Sequence, residues 1–433
     1  MKILMLSLYF YPDQTGVPKY SGEMAKWLGD HGHDVTVITG VPHYPDWKRA
    51  PGSPLLRPKT EQWGNVTIHR VPHYVPNDGK ISTIKRMLID ASFLGTAGLK
   101  LIESTLKREQ YDVAIAICPP LFSGILALAK RLLDGVPWVF HIQDFQVDAA
   151  MRLNLLNIGP VGQILYQMEG GLLKSANRVT SITDAMCRRA VVKGASDQRV
   201  VVSPNWADIK NIKPMSRDNE FRKAFGAEPN DIVALYAGAM GAKQGLELVL
   251  DAAQDLLEDP KFKFVMVGGG PEWRRLCTQA GERGLTNIQF VPLQPIKKLP
   301  FMLAAADVHL VIQKAEAADI VMPSKLTNIL ASGRASLATA KQGTALADAI
   351  EQSGAGLVIP PEDAAALSGA LRELASSPET AKRMGQKART FAESALDHDV
   401  IMKAFETELI AVVSSTRASQ RLNRPGNPGG SLV

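Results

Sequence analysis

Cysteine is scarce in this chain. The three residues present, Cys118, Cys187 and Cys277, lie far apart, with no Cys-x-x-Cys pair and no Cys/His cluster. That spacing argues against a structural metal and for a reducing compartment. Charge of one sign is also sparse, with a formal net charge of +6. Through Asp208 there are 23 Lys/Arg against 18 Asp/Glu, or +5; the remaining 26 against 25 give +1. A mildly basic first half suits an anionic surface. Arginines interleaved with aromatics are missing, so nucleic acid is not an expected partner.

Long apolar runs are nearly absent. Val113 to Ala129 carries no charge for 17 residues, short of the ~20 needed to span a bilayer. Pro119 and Pro120 cut it, and Asp112 and Lys130 bracket it, so strand, turn and helix are expected there. The opening MKILMLSLYFYPD has too little charge and no small-residue cleavage site, so a signal peptide is not expected. Two nucleotide signatures are missing as well. The loops after the first strand of each half read YFYPDQTG and GAMGAKQG, not Gly-x-Gly-x-x-Gly, which counts against an NAD(P)-dependent Rossmann enzyme. No Asp-x-Asp follows an expected strand in a donor-site position.

What is present is a regular alternation. At 433 residues, 45% hydrophobic and 21% charged, the chain has core enough for two domains. β-branched apolar runs at 3–7, 34–39, 66–71, 113–117, 138–142, 178–182 and 199–202 read as buried strands, with helical periodicity between most of them. Residues 40–63, rich in Pro, His and Trp, read as a loop, and 80–108 as a long helical region mixing apolar and basic residues. Residues 209–230 read as a linker. The pattern then restarts at Ile232 and runs to about 394, a last helix covers about 397–413, and 414–433 reads as a disordered tail. The expected class is α/β: two Rossmann-like parallel-sheet domains, 1–208 and 231–394, facing a central cleft.

The stretch IVALYAGAMGAKQGLELVLDAAQDLL (232–257) carries the first functional signal. A buried strand runs through Gly238, Gly241 and Gly245 into a helix, so free backbone N–H groups and a helix dipole meet Lys243 in one turn. An ordinary βα turn with a solvated lysine remains the alternative. Other loops at expected strand ends are the turn around Gly16, HIQD (141–144), PNWAD (204–208), GGGP (268–271) and the segment 313–328.

Together these motifs resemble the retaining glycosyltransferases of the GT-B fold, family 4, over roughly residues 1–412. The resemblance is carried by GHDVTVITG (32–40), SPNWADI (203–209), GGGPEWRRL (268–276) and AAADVHLVI (304–312). TGVPHYPDW (39–47), FHIQDFQVDAAM (140–151), YAGAMGAKQGLE (236–247) and VMPSKLTNILASG (321–333) look like the branch that builds colanic acid and related exopolysaccharides. There are departures. The family's Arg and Lys in the phosphate turn are replaced by Ala239 and Gln244. Its glutamate pair is replaced by Ile320, beside Asp319, and by Asn328.

The resemblance implies that the last helix, 395–413, crosses back to the first domain. It also implies a nucleotide-diphosphate-sugar donor, GDP-fucose in that branch, and no metal or other cofactor. Lys243 and Lys325 would meet the diphosphate, assisted by Gly16, Asn205, Gly238, Gly241, Gln244 and Ser324. Gly268, Gly269 and Gly270 would admit the nucleotide, and Asp319 and Asn328 would contact hydroxyls. Asp144 would orient or deprotonate the acceptor hydroxyl, with His141 nearby, and His43, Tyr44 and Trp47 would line the acceptor site. Structural alternatives stand beside these roles: a surface lysine for Lys325, helix caps for Asn328 and Asp144, a core histidine for His141, and plain turn glycines at 268–270. The implied acceptor is a sugar on undecaprenyl diphosphate, placing the enzyme in the cytoplasm on the inner face of the bacterial plasma membrane. There Lys80, Lys85 and Arg86 would meet anionic lipid. A family-4 transferase using a UDP-N-acetylated sugar and a GT-B sugar epimerase remain alternatives. A non-catalytic sugar-binding protein is another, although it would carry an export signal.

Overall fold

The computed structural model describes all residues except 14, 54, 77–78, 80, 149–159, 318–324 and 423–433. The chain divides into two compact units. The first takes residues 1–182, 186–203 and 402 onward; the second takes 183–185 and 204–401.

In the first unit the strands are β1 (Lys2–Ser7), β2 (Asp34–Thr39), β3 (Lys59–Trp63), β4 (Val66–Arg70), β5 (Val113–Cys118), β6 (Trp138–Ile142), β7 (Arg178–Ser181) and β8 (Val200–Val202). They form one sheet in the order β3-β4-β2-β1-β5-β6-β7-β8, and only β3 runs antiparallel. The sequence VAIAIC of β5 is buried at every position, as a strand covered on both faces must be. The order reverses between β1 and β5, the topological switch point where ligands bind in open α/β sheets.

In the second unit β9 (Ile232–Ala239), β10 (Phe262–Gly269), β11 (Ile288–Pro292), β12 (Val308–Val311), β13 (Ala335–Thr339) and β14 (Gly356–Ile359) form a parallel sheet. Its order is β11-β10-β9-β12-β13-β14. Alternate residues of β9 enter different cores: Val233 and Leu235 one, Ala234 and Tyr236 the other. Helices therefore cover both faces, and the switch point lies between β9 and β12. The segment Val113–Ala129 is strand β5 followed by the helix Phe122–Asp134. Among the described residues no helix is long and apolar enough to cross a membrane.

Three expectations change. The loop at 40–63 contains the edge strand β3, whose KTEQW lacks apolar alternation because only one side of it pairs. The stretch read as a linker belongs to the second unit. Its helix Glu220–Ala224 buries Arg222, which donates to Asp307 Oδ2 at 2.8 Å and to the Ala305 carbonyl at 3.2 Å. The last helix spans His398–Leu422, so 414–422 are helical rather than disordered. From Met402 it belongs to the first unit, where Glu406 meets His33 at 2.6 Å and Glu408 meets Arg178 at 2.9 Å.

Candidate functional site

The donor residues of the second unit gather at the end of β9. Gly238 ends the strand's straight run with φ +148°, and the short 3-10 turn Ala242–Gln244 follows. Lys243 stands exposed on that turn, and its carbonyl accepts from the Lys314 amide at 3.1 Å. Gln244 folds back so that its Oε1 accepts from the Gly241 amide at 3.1 Å. Its side-chain oxygen thereby closes the turn.

Lys325 opens the helix Lys325–Ser332. As a residue it is half-buried, but its ammonium is inaccessible and has no hydrogen-bond partner among the described residues. It lies 3.5 Å from the centroid of the Tyr236 ring. Burial first, and the charge of Lys243 second, pull its pKa down to about 7. One turn along, the buried Asn328 Oδ1 also lacks a partner among the described residues. A buried ammonium and a buried acceptor on one helix end, both without hydrogen-bond partners among the described residues, are costly unless a further group completes them. Asp319 and Ser324 lie outside the described residues.

The triple glycine divides by role. A Cβ on Gly268 would meet the Gly238 carbonyl oxygen at 1.9 Å, and one on Gly270 the Met240 oxygen at 2.4 Å. Those two glycines are demanded by backbone packing of the two turns, so the opening expected beside them is filled by protein. Gly269 has nothing within 4 Å and keeps the expected opening. Asn205 is half-buried in the segment after β8, also in the second unit. Lys314 was missed by sequence reasoning. Its stem packs where a Cβ of Gly245 would come within 2.8 Å, bringing a second cation of that loop beside the turn. Its place two residues after an expected strand end was the available signal.

In the first unit Gly16 is the residue before the helix Val17–Asp30, with φ +68° and nothing within 4 Å of a Cβ. Asp13 Oδ2 accepts from the amides of His43 and Tyr44 at 3.2 and 3.1 Å, so it anchors the loop carrying the expected acceptor residues. The rings of Tyr44 and Trp47 meet edge-on at 5.5 Å. His43 is almost fully buried among Tyr9, Trp47 and His73, and burial holds its pKa below the usual imidazole range. It backs the aromatic pair rather than lining an open site.

Asp144 lies in the turn after β6, half-buried, near the charge of Arg86. His141 is different. It sits inside β6, 2% exposed, with Nδ1 2.9 Å from Thr180 Oγ1 and its ring packed on Phe405. Burial drops its pKa to about 4. It is a neutral core histidine without access to substrate, which corrects the catalytic role expected for it. The helix Thr83–Leu106 supplies what the sequence reading missed. Arg86 turns inward, 5.9 Å from the Trp47 ring and beside the Tyr9 hydroxyl, Asp90 and Asp144. Asp90 accepts from Gln146 at 3.2 Å, and burial raises its carboxyl to about 6 against the pull of Arg86. Arg86 therefore serves this cluster and not a membrane-facing side, contrary to expectation; Lys80 lies outside the described residues. Among the described residues no group of three or more His, Cys, Asp or Glu is placed to hold a metal ion.

Comparison with known proteins bears on the fold and the family. Residues 15–206 match the model "Glycosyl transferase 4-like domain", and 217–391 match "Glycosyl transferases group 1". The chain is 37% identical to the putative colanic acid biosynthesis glycosyl transferase WcaI of Escherichia coli K12, over 94% of this chain and 100% of that one. Among solved structures it is similar to sucrose-phosphate synthase from Thermosynechococcus elongatus, with a TM-score of 0.74 at 17% identity, covering 96% of this chain and 100% of that one. It is also similar to Anabaena HepE in complex with UDP, with a TM-score of 0.69 at 14% identity, covering 95% of this chain and all of the other. The two sheets, the motifs and the full-length match to WcaI together show that the chain belongs to the family-4 glycosyltransferases of the GT-B fold.

Proposed function

We propose that the protein transfers a sugar, fucose from GDP-fucose as the first choice, onto a sugar carried by a polyprenyl diphosphate in the synthesis of colanic acid or a related exopolysaccharide. The observation that carries the donor half is the Lys325 ammonium: buried, unpaired among the described residues, and beside the Gly238 turn. A nucleotide diphosphate supplies the charge that this nitrogen lacks. HepE, a neighbour in fold, binds UDP, and WcaI is named for colanic acid synthesis; these support the reading.

In the proposed reaction the acceptor oxygen bonds to the anomeric carbon as the bond from that carbon to the phosphate oxygen breaks. Negative charge gathers on the leaving diphosphate, where Lys243, Lys325 and the helix N-terminus at Lys325 stabilise it in place of a metal. Asp144 orients the acceptor hydroxyl, whose proton passes to the departing phosphate oxygen, so configuration is retained. Tyr44 and Trp47 offer aromatic faces to the acceptor sugar.

The acceptor's lipid places the enzyme at a membrane. On the helix Thr83–Leu106 the residues Ile84, Leu88, Leu99, Ile102 and Leu106 are exposed. Their spacing of 4, 11, 3 and 4 keeps them in one stripe. Lys100 and Lys107 both pair with Glu103, at 3.1 and 2.5 Å. Apolar insertion rather than basic charge is therefore the proposed means of attachment, at the inner face of the plasma membrane.

Thermal-shift titrations with GDP, UDP and NAD test the donor class. A ligand that binds the native state alone stabilises it by RT ln(1 + [L]/Kd). A rise in melting temperature with GDP is expected; a rise with UDP alone moves the reading to a UDP-sugar transferase, and a rise with NAD alone overturns it.

A further inference from the structure

We propose that the ring of Tyr236 is a seat that holds the Lys325 ammonium unpaired until the donor diphosphate arrives, which makes Tyr236 a positioning residue for donor binding. The inference rests on the reading of Lys325 as a diphosphate contact.

The seat is built from the strand outward. Tyr236 lies near the end of β9, fully buried, and its hydroxyl donates to the Ala239 carbonyl at 2.6 Å, which fixes the ring. The ammonium rests 3.5 Å from the ring centroid, where the negative face of the π system attracts a cation. Gly238 leaves room for it: a Cβ there would lie 3.4 Å from the Lys325 Nζ, on a backbone whose φ of +148° already favours glycine. Without the ring, this nitrogen would sit in the interior with no compensating group among the described residues.

The groups facing the ammonium are those of a site awaiting an anion. From the turn after β9 comes Lys243, a like charge. Lys314 packs on Gly245 in the same turn. From β9 itself comes Tyr236, whose phenol burial holds well above its usual range. From β12 comes His309, buried and pulled down to about 3 by that burial, hence neutral. On its own helix stands Asn328, with a buried oxygen unpaired among the described residues. Among the described residues no carboxylate appears in this set, and a diphosphate is the anion the proposal gives the ammonium.

The sign follows from the free-state pKa of about 7. A diphosphate raises that pKa, because an adjacent opposite charge favours the charged form. Between the two values donor binding takes up a proton, and affinity falls as pH rises above 7. Losing the ring makes the free ammonium harder to keep charged, so the fall begins earlier. A desolvated cation–π contact is large enough to move it by about one pH unit.

Calorimetric titration of the full-length protein with GDP, from pH 6 to 9 and in buffers of differing ionisation enthalpy, tests this. Comparing variants at each pH cancels the ligand phosphate's own titration near pH ~6. Tyr236→Phe keeps the ring, and its affinity and pH profile are expected to match the wild type within about twofold. For Tyr236→Leu, the pH at which affinity falls is expected to move down by about one unit, with affinities converging at the acid end. Tyr236→Met repeats the loss of the ring with a longer side chain and serves where the leucine variant does not fold. Ring-free variants whose profiles run parallel to the wild type overturn the seat. Wild-type GDP affinity in Lys325→Ala overturns instead the diphosphate reading beneath it.

Discussion

Lys325 matters because its ammonium is held where water is not. Lys243, by contrast, is exposed on its turn, so under the proposed diphosphate role the two cations would contribute differently to one anion. A hydrogen bond to a charged phosphate is worth ~1.5–3 kcal/mol. Replacing either lysine by alanine is therefore expected to weaken nucleotide binding about tenfold or more, with the larger loss at Lys325 because the buried contact is less screened. Equilibrium titration with GDP measures this, and two folded variants that bind like the wild type would refute the diphosphate assignment. Lys243 was singled out by its chemistry, a lysine in a glycine turn after a strand, whereas Lys325, after Pro-Ser ahead of a helix, was singled out by the resemblance. What the sequence hid was the partner. Tyr236 reads as one more buried strand residue, and only three dimensions put its ring under the ammonium.

Elements were more legible than side-chain directions. Buried apolar runs marked nearly every strand, because a strand covered on both faces has no polar alternation to confuse the reading. β3 escaped because an edge strand with one neighbour needs no such run. Direction was harder. Arg86 reads as one of several cations on a helix, yet it turns inward to Asp90 and Trp47. His141 reads as a histidine at a strand end, yet its ring enters the core. The glycines of β10 also separate only in the structure. Gly268→Ala is expected to destabilise strongly, since its Cβ would collide with the Gly238 carbonyl. Gly269→Ala is expected to fold with a nearly unchanged melting temperature while weakening GDP binding. Chemical denaturation alongside GDP titration checks both, and full binding by folded Gly269→Ala would remove the nucleotide from that turn.

At the scale of the whole molecule, the family is shown by the match across both units, while substrate and membrane rest on finer features. The stripe from Ile84 to Leu106 leaves Leu99 69% and Leu106 77% exposed. Each fully buried leucine is worth ~1.5–3 kcal/mol of transfer from water, so a few of them suffice for reversible attachment. Ile84→Ser with Leu88→Ser is expected to release the protein from vesicles and to lower transfer to a lipid-linked acceptor while leaving GDP affinity intact. Unchanged flotation of that folded double variant would place the attachment elsewhere.

The central claim is donor-dependent sugar transfer in which lysines do the work of a metal. Radiolabelled GDP-fucose and UDP-sugars, each offered with membranes carrying polyprenyl-diphosphate-linked sugar and with EDTA present, test it most directly. The account predicts label moving from GDP-fucose into lipid-extractable product despite the chelator, with the rate falling tenfold or more in Lys325→Ala. Transfer that appears only on adding Mg²⁺ or Mn²⁺, or label that moves from no nucleotide sugar, would contradict it.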